Sequence, residues 1–438
     1  MKRPVVIILL VIALALVCVG IGAVIFFTAN DGFATNNPFD RRNIFSVLEE
    51  SKTIKVDTKK PLILKVADAA GSVTITGEDV ETVEVKVVKT AYDSSQARAD
   101  EEVKGIKYTV EQSGNTITLK YELPKSMNFS NNVNTVDFFI TVPNEVTVEV
   151  DTNFGEVSVT NTKGNVDVKN DFGDVTVENI EGALTVQTNS GEVNATSIVA
   201  GTEDIDLSSD FGGVTLKKAG ARNITLDSNS GTITLSEVRA TGDLTSNTDY
   251  GNTDFENGSA DTLHVETNSG TVSLVKINVS KEIFVKDDFG DIELERALAA
   301  SYDLHTNSGS VTVDGAKGNL KAGTDFGNIT VNNAQAVTLT LETNSGTVEF
   351  NGSLGTGPHF IKSDFGGIDI SLPTDTELAV DLKTDFGNIK SDLPITIVLN
   401  GSSSNSESDH IGGSINGGGE QLTVQANSGN INIKVSNK

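Results

Sequence analysis

The sequence predicts an all-β protein: a parallel β-solenoid of about 20-residue coils, with a β-rich N-terminal cap and one N-terminal transmembrane helix. Three observations predict it. A motif ending in glycine recurs at a nearly fixed interval from Gly155 to Gly429. Apolar residues stand at constant offsets from those glycines. An unbroken apolar run fills residues 5–27.

The motif is clearest from Asp171-Phe172-Gly173 to Asn189-Ser190-Gly191, with an alternating strand, a turn at Gly182 and a second alternating strand between. Two kinds of corner take turns. The aromatic kind is repeated at Asp210-Phe211-Gly212, Asp288-Phe289-Gly290, Asp325-Phe326-Gly327 and Asp364-Phe365-Gly366, and Asp249-Tyr250-Gly251 is its variant. The small kind places Asn229, Asn268, Asn307 and Asn344 two residues before Gly231, Gly270, Gly309 and Gly346, with Ser between. Gly387 and Gly429 extend the series across a double gap. A period near 20 means a stacked array, in which one unit cannot bury its apolar face without its neighbours, and predicts about 14 or 15 coils.

Spacing of two residues puts Val157/Val159, Val175/Val177 and Ile233/Leu235 on one face of a strand after the corner. Leu184/Val186, Ile224/Leu226 and Leu263/Val265 do the same before it. Each coil therefore offers two strands with one wall turned inward, on two or three short faces. An antiparallel meander is the alternative, because Asn-Ser-Gly can close a hairpin. Corner register kept over so many copies favours the solenoid.

Neighbouring strands lie about 4.8 Å apart. A ring in every coil would crowd, whereas rings in alternate coils fit with Ser between them. Stacked Asp would repel, and an intervening Asn separates the charges and donates to them. The hydroxyl row at Thr188, Ser228, Thr267, Thr306 and Thr343 fits corner hydrogen bonding better than recognition of a repeating glycan.

In chain order, residues 1–28 read as a signal-anchor. Twenty-three apolar residues at about 1.5 Å each cross a bilayer core. Lys2 and Arg3 hold the N-terminus in the cytoplasm, with the bulk of the chain outside. A cleaved signal peptide and a lipoprotein modified at Cys18 are the rival readings. Residues 29–52 form a juxtamembrane tether with a short helix over Ile44–Glu50. Residues 53–148 are a β-rich cap with one helix near 94–104, started by Ser94 or Ser95 and turning Ala97, Ala99 and Val103 to the body. Residues 149–438 are the solenoid, with a flexible Gly/Ser/Asn-rich loop at 401–419, and Gln421–Val435 closes the stack.

The order of parts carries a resemblance. An apolar anchor precedes Leu64-Lys-Val-Ala-Asp-Ala-Ala-Gly-Ser-Val-Thr-Ile-Thr-Gly77, then a strand ending at Val142-Pro143, then many Asp-Phe-Gly-Asp-Val-Thr-Val and Thr-Asn-Ser-Gly-Glu-Val copies. This resembles the bacterial putative-adhesin family DUF4097 over residues 53–438. The resemblance implies β-solenoid-like repeats and surface adhesion or envelope scaffolding, and supplies no catalytic residues.

Composition narrows the partners. The net charge of −27 argues against nucleic acid and anionic lipid and leaves cell-wall glycans, host glycans or surface proteins. One Cys excludes an internal disulfide framework. Asp-Phe-Gly occurs in kinases, but here it lacks their other motifs. No cofactor is expected. Calcium is the one metal the Asp column suggests, at Asp287-Asp288 and at Asp167 with Asp171. A polysaccharide-active β-helix enzyme would need carboxylates gathered at one place, and Asp287-Asp288 with Arg296 is the candidate. A sensor or accessory subunit of an envelope-stress system is a further alternative. Of the four histidines, His359 falls on an inward column and His410 in the loop.

Overall fold

The computed structural model describes residues 26–27, 44–123, 133–397 and 409–436. They form two compact units. One runs to Val146 and takes in Asp151–Gly155; the other comprises Thr147–Val150 and Glu156–Lys438.

In the N-terminal unit, strand Thr82–Asp93 pairs antiparallel with both Ile44–Lys55 and Thr135–Pro143. Val73–Glu78 pairs parallel with Thr135–Pro143, and Leu62–Asp68 parallel with Thr116–Tyr121. Strand Ile44–Lys55 begins inside the segment expected to be a tether, and it replaces the expected short helix. Alternation there was hidden because an inward position is polar: buried Ser46 donates to Asp100 rather than packing as an apolar residue. The helix spans Gln96–Gly105 and buries Ala99 and Val103, the latter against Leu48 and Ala91. Ala97 is exposed instead, and Ser95 occupies the N-cap without a side-chain bond. Buried Lys89 pairs with Glu50 at 2.6 Å, and Tyr108 donates to the same carboxylate at 2.6 Å.

The expected anchor lies outside the described residues except at Phe26–Phe27. There the backbone is extended and pairs antiparallel with Val47 and Leu48. Among the described residues, no helix is long and apolar enough to cross a membrane.

The second unit is a parallel β-solenoid whose corners stack in register from Phe172 to Phe386. Each turn has two strands, and every strand pairs with the strand one full turn away, as Val157–Lys163 does with Val175–Glu181 and Val166–Phe172 with Leu184–Ser190. Residues one turn apart in the regular stack differ by 18 to 21 in number. The two alternating walls meet in a core of Val, Ile and Leu stacked on their counterparts: Val175 on Val193 on Val214 on Ile233, all fully buried. Burying such a side chain stabilises by about 1.5–3 kcal/mol. The core is thus one continuous column shared by all turns.

Two devices bend each turn. One is a residue held at positive φ, within the first strand at Asn161, Asn179, Ser197, Lys218, Glu237, Asn257 and Lys276, and just past its end at Arg296. It drops out of the pairing register, so alternation shifts by one and residues such as Ile180 and Ile198 turn inward. The other is the corner glycine. A Cβ on Gly231 would lie 2.2 Å from the carbonyl oxygen of Gly212, and one on Gly346 would lie 1.9 Å from that of Gly327. Consecutive corners therefore touch backbone to backbone.

The C-terminal end departs from simple stacking. Strand Glu420–Ser428 does not close the stack. It lies between His359–Phe365 and Leu378–Phe386, parallel to both. The final turn of the sequence is thus the next-to-last in space, and the turn carrying Gly387 lies outside it. The expected flexible loop is also partly ordered: Asp409–Ile415 is a strand antiparallel to Leu378–Phe386 and to Ile395–Ile397. His410 sits on this strand, 2.6 Å from Asp381. Residues 401–408 lie outside the described residues.

Two outcomes follow. Gly231→Ala should lower stability by about 1–3 kcal/mol in denaturant unfolding, because backbone must shift. Gly220→Ala, where an added Cβ meets nothing within 4 Å, should change it by less than about 0.5 kcal/mol. Removing residues 409–438 takes away the strand that joins His359–Phe365 to Leu378–Phe386. Limited proteolysis should then cut within 373–397 at protease levels that leave the intact chain uncut there.

Candidate functional site

The corners form four columns along the solenoid, one for each position of the motif. The first, three residues before the glycine, is buried. Ser209, Ser228, Thr306, Thr324 and Thr343 donate their hydroxyls to the carbonyl of the preceding turn's corner glycine at 2.8–3.0 Å. Thr267 does so at 3.5 Å, and Thr188 is buried in the same place. This hydroxyl row faces the core and is closed to a glycan.

In the second column, each Asn amide donates to the Asp of the turn before it. The pairs are Asn189 to Asp171 at 3.0 Å, Asn229 to Asp210 at 3.2 Å and Asn268 to Asp249 at 2.9 Å. Asn307 to Asp288 measures 2.9 Å and Asn344 to Asp325 2.7 Å. Asn427 donates to Asp364 at 2.8 Å across the interleaved turn. The residue after the glycine makes a further ladder missed in the sequence: Asp174, Asn252, Asp291 and Asn328 each accept from a backbone N–H of the next turn at 2.7–2.9 Å. Its signal was an Asp or Asn after the glycine, chiefly in aromatic corners, with Asn430 after Gly429 accepting from the Asn388 N–H at 2.9 Å in the same way.

The third column is the ring column. Phe172 stacks in register on Ser190, which stacks on Phe211, and the sequence continues through Ser230, Tyr250, Ser269 and Phe289. Its strand phase is that of the core, but it lies beyond the core's end, where the chain turns. The rings stand in solvent: Phe211 is 66% exposed, Tyr250 68% and Phe386 69%. Packing inside the fold therefore does not account for them. In the fourth column, Gly173, Gly191, Gly212, Gly270, Gly290, Gly309, Gly327 and Gly366 carry the chain around.

Three residues break the buried hydroxyl column: Asn170, whose amide donates to the Gly173 carbonyl at 2.9 Å, Ala426, and Asp287. Asp287 is fully buried, and its Oδ2 has no hydrogen-bond partner. Its Oδ1 accepts from the Phe289 N–H at 3.1 Å. Burial pushes its pKa up to about 6. As the neutral acid it carries an O–H at the position where most turns place a hydroxyl. Asp68, three residues before Gly71 in the N-terminal unit, repeats the geometry. It is buried, its Oδ1 accepts from the Ala70 N–H at 3.1 Å, and burial with nearby Asp137 raises its pKa to about 7.

These placements separate the residues proposed for chemistry. Asp287 turns into the core while Asp288 joins the Asn ladder, and Arg296 pairs with Glu295. Among the described residues, no three of His, Cys, Asp and Glu are grouped so as to hold a metal. His264 stacks on Phe284 with centroids 4.4 Å apart, and His305 bonds Asn307 at 3.2 Å. His359 is buried, and burial lowers its pKa. An open depression of about 550 Å³ lies along Ala240, Ala260, Val279 and Leu298, with Asp261 and Lys317 at its rim.

Fold and corners together define a ladder-edged β-solenoid. The chain belongs to the Toastrack DUF4097 family, whose model matches residues 64–211, 183–325 and 316–434. Among solved structures, a putative cell adhesion protein from Clostridium sporogenes is similar at 10% identity and TM-score 0.18, over 88% of this chain and 98% of its own. A putative adhesin from Bacteroides fragilis is similar at 15% identity and TM-score 0.27, over 65% and 95%. A putative lipid binding protein from Parabacteroides distasonis is similar at 14% identity and TM-score 0.33, over 65% and 96%. No curated protein matches the chain.

The columns make two predictions. Asn307→Asp puts three carboxylates in successive turns and should destabilise by on the order of 1 kcal/mol at neutral pH, less in high salt, read by denaturant unfolding. For Asp287, an unfolded carboxyl titrates near 3.8 and the folded one near 6, so the fold favours the acid form. Its contribution to stability is fully present below the lower value and is lost as pH rises through the upper one. Asp287→Thr should therefore gain stability over the parent at pH 8, and that gain should shrink on acidification to pH 4.5.

Proposed function

We propose that this protein is a non-enzymatic, membrane-anchored adhesin or envelope scaffold, held at the cell membrane through residues 5–27 with its solenoid outside the cytoplasm. One observation carries the reading: a single column of exposed aromatic side chains in alternate turns, from Phe211 through Tyr250, Phe289, Phe326 and Phe365 to Phe386. Exposed rings cost solubility unless something covers them. Here they recur in register over much of the solenoid, which suits a partner that is itself long and repetitive. Binding along such a row is multivalent, so weak individual contacts sum to firm attachment. The acidic surface keeps nucleic acid and anionic lipid away. The Asp carboxylates are engaged in ladders, which supports a scaffold over a hydrolytic site.

The full-length chain, kept in detergent, should sediment with cell-envelope fragments, and the binding should survive high salt. Replacing Phe211, Phe289 and Phe326 together by Ala should weaken it about tenfold or more. In cells the chain should fractionate with membranes, and deletion of residues 1–28 should release it. Failure to bind any envelope fraction would overturn the adhesive reading.

A further inference from the structure

We infer that the ring column binds a β-1,4-linked glycan chain, one disaccharide per ring, and that amino-sugar chains bind most tightly. The inference rests on the adhesive reading and names its ligand.

Spacing is the first argument. Rings in alternate turns are separated by two strand spacings, about 10 Å. That is the length of one disaccharide in an extended β-1,4-linked glycan. An extended polypeptide repeats every two residues at a markedly shorter distance, so its side chains fall out of step with the rings. The apolar face of a pyranose lies flat on an aromatic ring, while its hydroxyls need polar partners at the edge. Between each pair of rings the column supplies Ser: Ser230 between Phe211 and Tyr250, and Ser308 between Phe289 and Phe326.

Charge is the second argument. Each ring is preceded by a carboxylate in the same turn, at Asp210, Asp249, Asp288, Asp325, Asp364 and Asp385. Ring and carboxylate therefore share one period. A cation is attracted both to the carboxylate and to an aromatic face. A glycan carrying free amino groups presents that charge, and an acidic glycan would be repelled. Attraction without stacking would not select for rings in alternate turns.

The test uses the full-length chain in detergent, with oligomers of two, four, six and eight sugars. The probes are chitosan, chitin and cello-oligosaccharides, with β-1,3- and α-1,4-linked glucans as controls of different repeat. Affinity should climb with each added disaccharide for the β-1,4 series alone, highest for chitosan at low salt. The Phe289→Ala/Phe326→Ala double variant should lose about tenfold, while Phe289→Tyr/Phe326→Tyr keeps the affinity and shows that folding is unaffected. Binding to envelope fragments but to none of the β-1,4 probes overturns this inference and leaves the adhesive reading standing. Chitosan binding that ignores ring loss and is matched by polylysine reduces the effect to charge and also overturns it. Binding to phosphatidylcholine vesicles that is lost in the Phe289→Ala/Phe326→Ala variant, and so does not come from residues 5–27, overturns it in favour of a lipid surface. No binding to any probe or envelope fraction overturns both readings.

Discussion

Everything in the solenoid depends on a backbone that returns onto itself one strand spacing away. At that distance equivalent residues of successive turns lie directly over one another, and each position becomes a stack. The corner makes the constraint most severe, because the carbonyl of one glycine occupies the space where the next would carry a Cβ. Glycine is there for want of room. The same closeness makes the corner cohesive: the amide of Gly290 donates to the carbonyl of Ser308 at 3.1 Å, and the buried Thr306 hydroxyl of that following turn donates to the Gly290 carbonyl at 3.0 Å. Leaving such groups unpaired in the core would cost roughly 1–3 kcal/mol each.

Stacking also explains why corners alternate. A column of like carboxylates repels itself and a column of rings crowds, so both are diluted with a small neutral partner that can donate. The interleaved C-terminal turn obeys the same rule. In chain order Asp364-Phe365-Gly366 is followed by Asp385-Phe386-Gly387, two aromatic corners in succession. In space Asn427-Ser428-Gly429 lies between them, so Phe365 meets Ser428, and Ser428 meets Phe386. Side-chain chemistry thus selects one of two ways of ordering the last turns.

The strand pairs and corner glycines were readable because the regular stack repeats them from turn to turn. The double aromatic corner was equally visible, but it looked like an irregular period; read as a ladder rule, it points to the inserted turn. Residues at positive φ were hidden, since Ser197, Lys218, Glu237 and Arg296 share no type with the Asn found at other turns. They are solvent-facing and only the backbone repeats. Asp287 was hidden for the opposite reason. Its neighbour Asp288 made it look like half of an acidic pair, whereas strand alternation sends the two to opposite sides. Exposure of the rings was missed because their phase along the strand is that of the core, and only the turn of the chain carries them past it.

Alternation also constrains how a chain of this kind changes length. Gain or loss of a single turn within the regular stack brings two like corners together: ring on ring with carboxylate on carboxylate, or amide on amide. A duplication or deletion of two turns leaves every neighbour unchanged. The unit that the ladders tolerate is therefore the pair, a step close to twice the 19 residues that separate Asn229 from Asp210. Because Glu420–Ser428 is threaded between His359–Phe365 and Leu378–Phe386, a change of length there would break the interleaving, whereas a change of two turns in the middle of the stack would not.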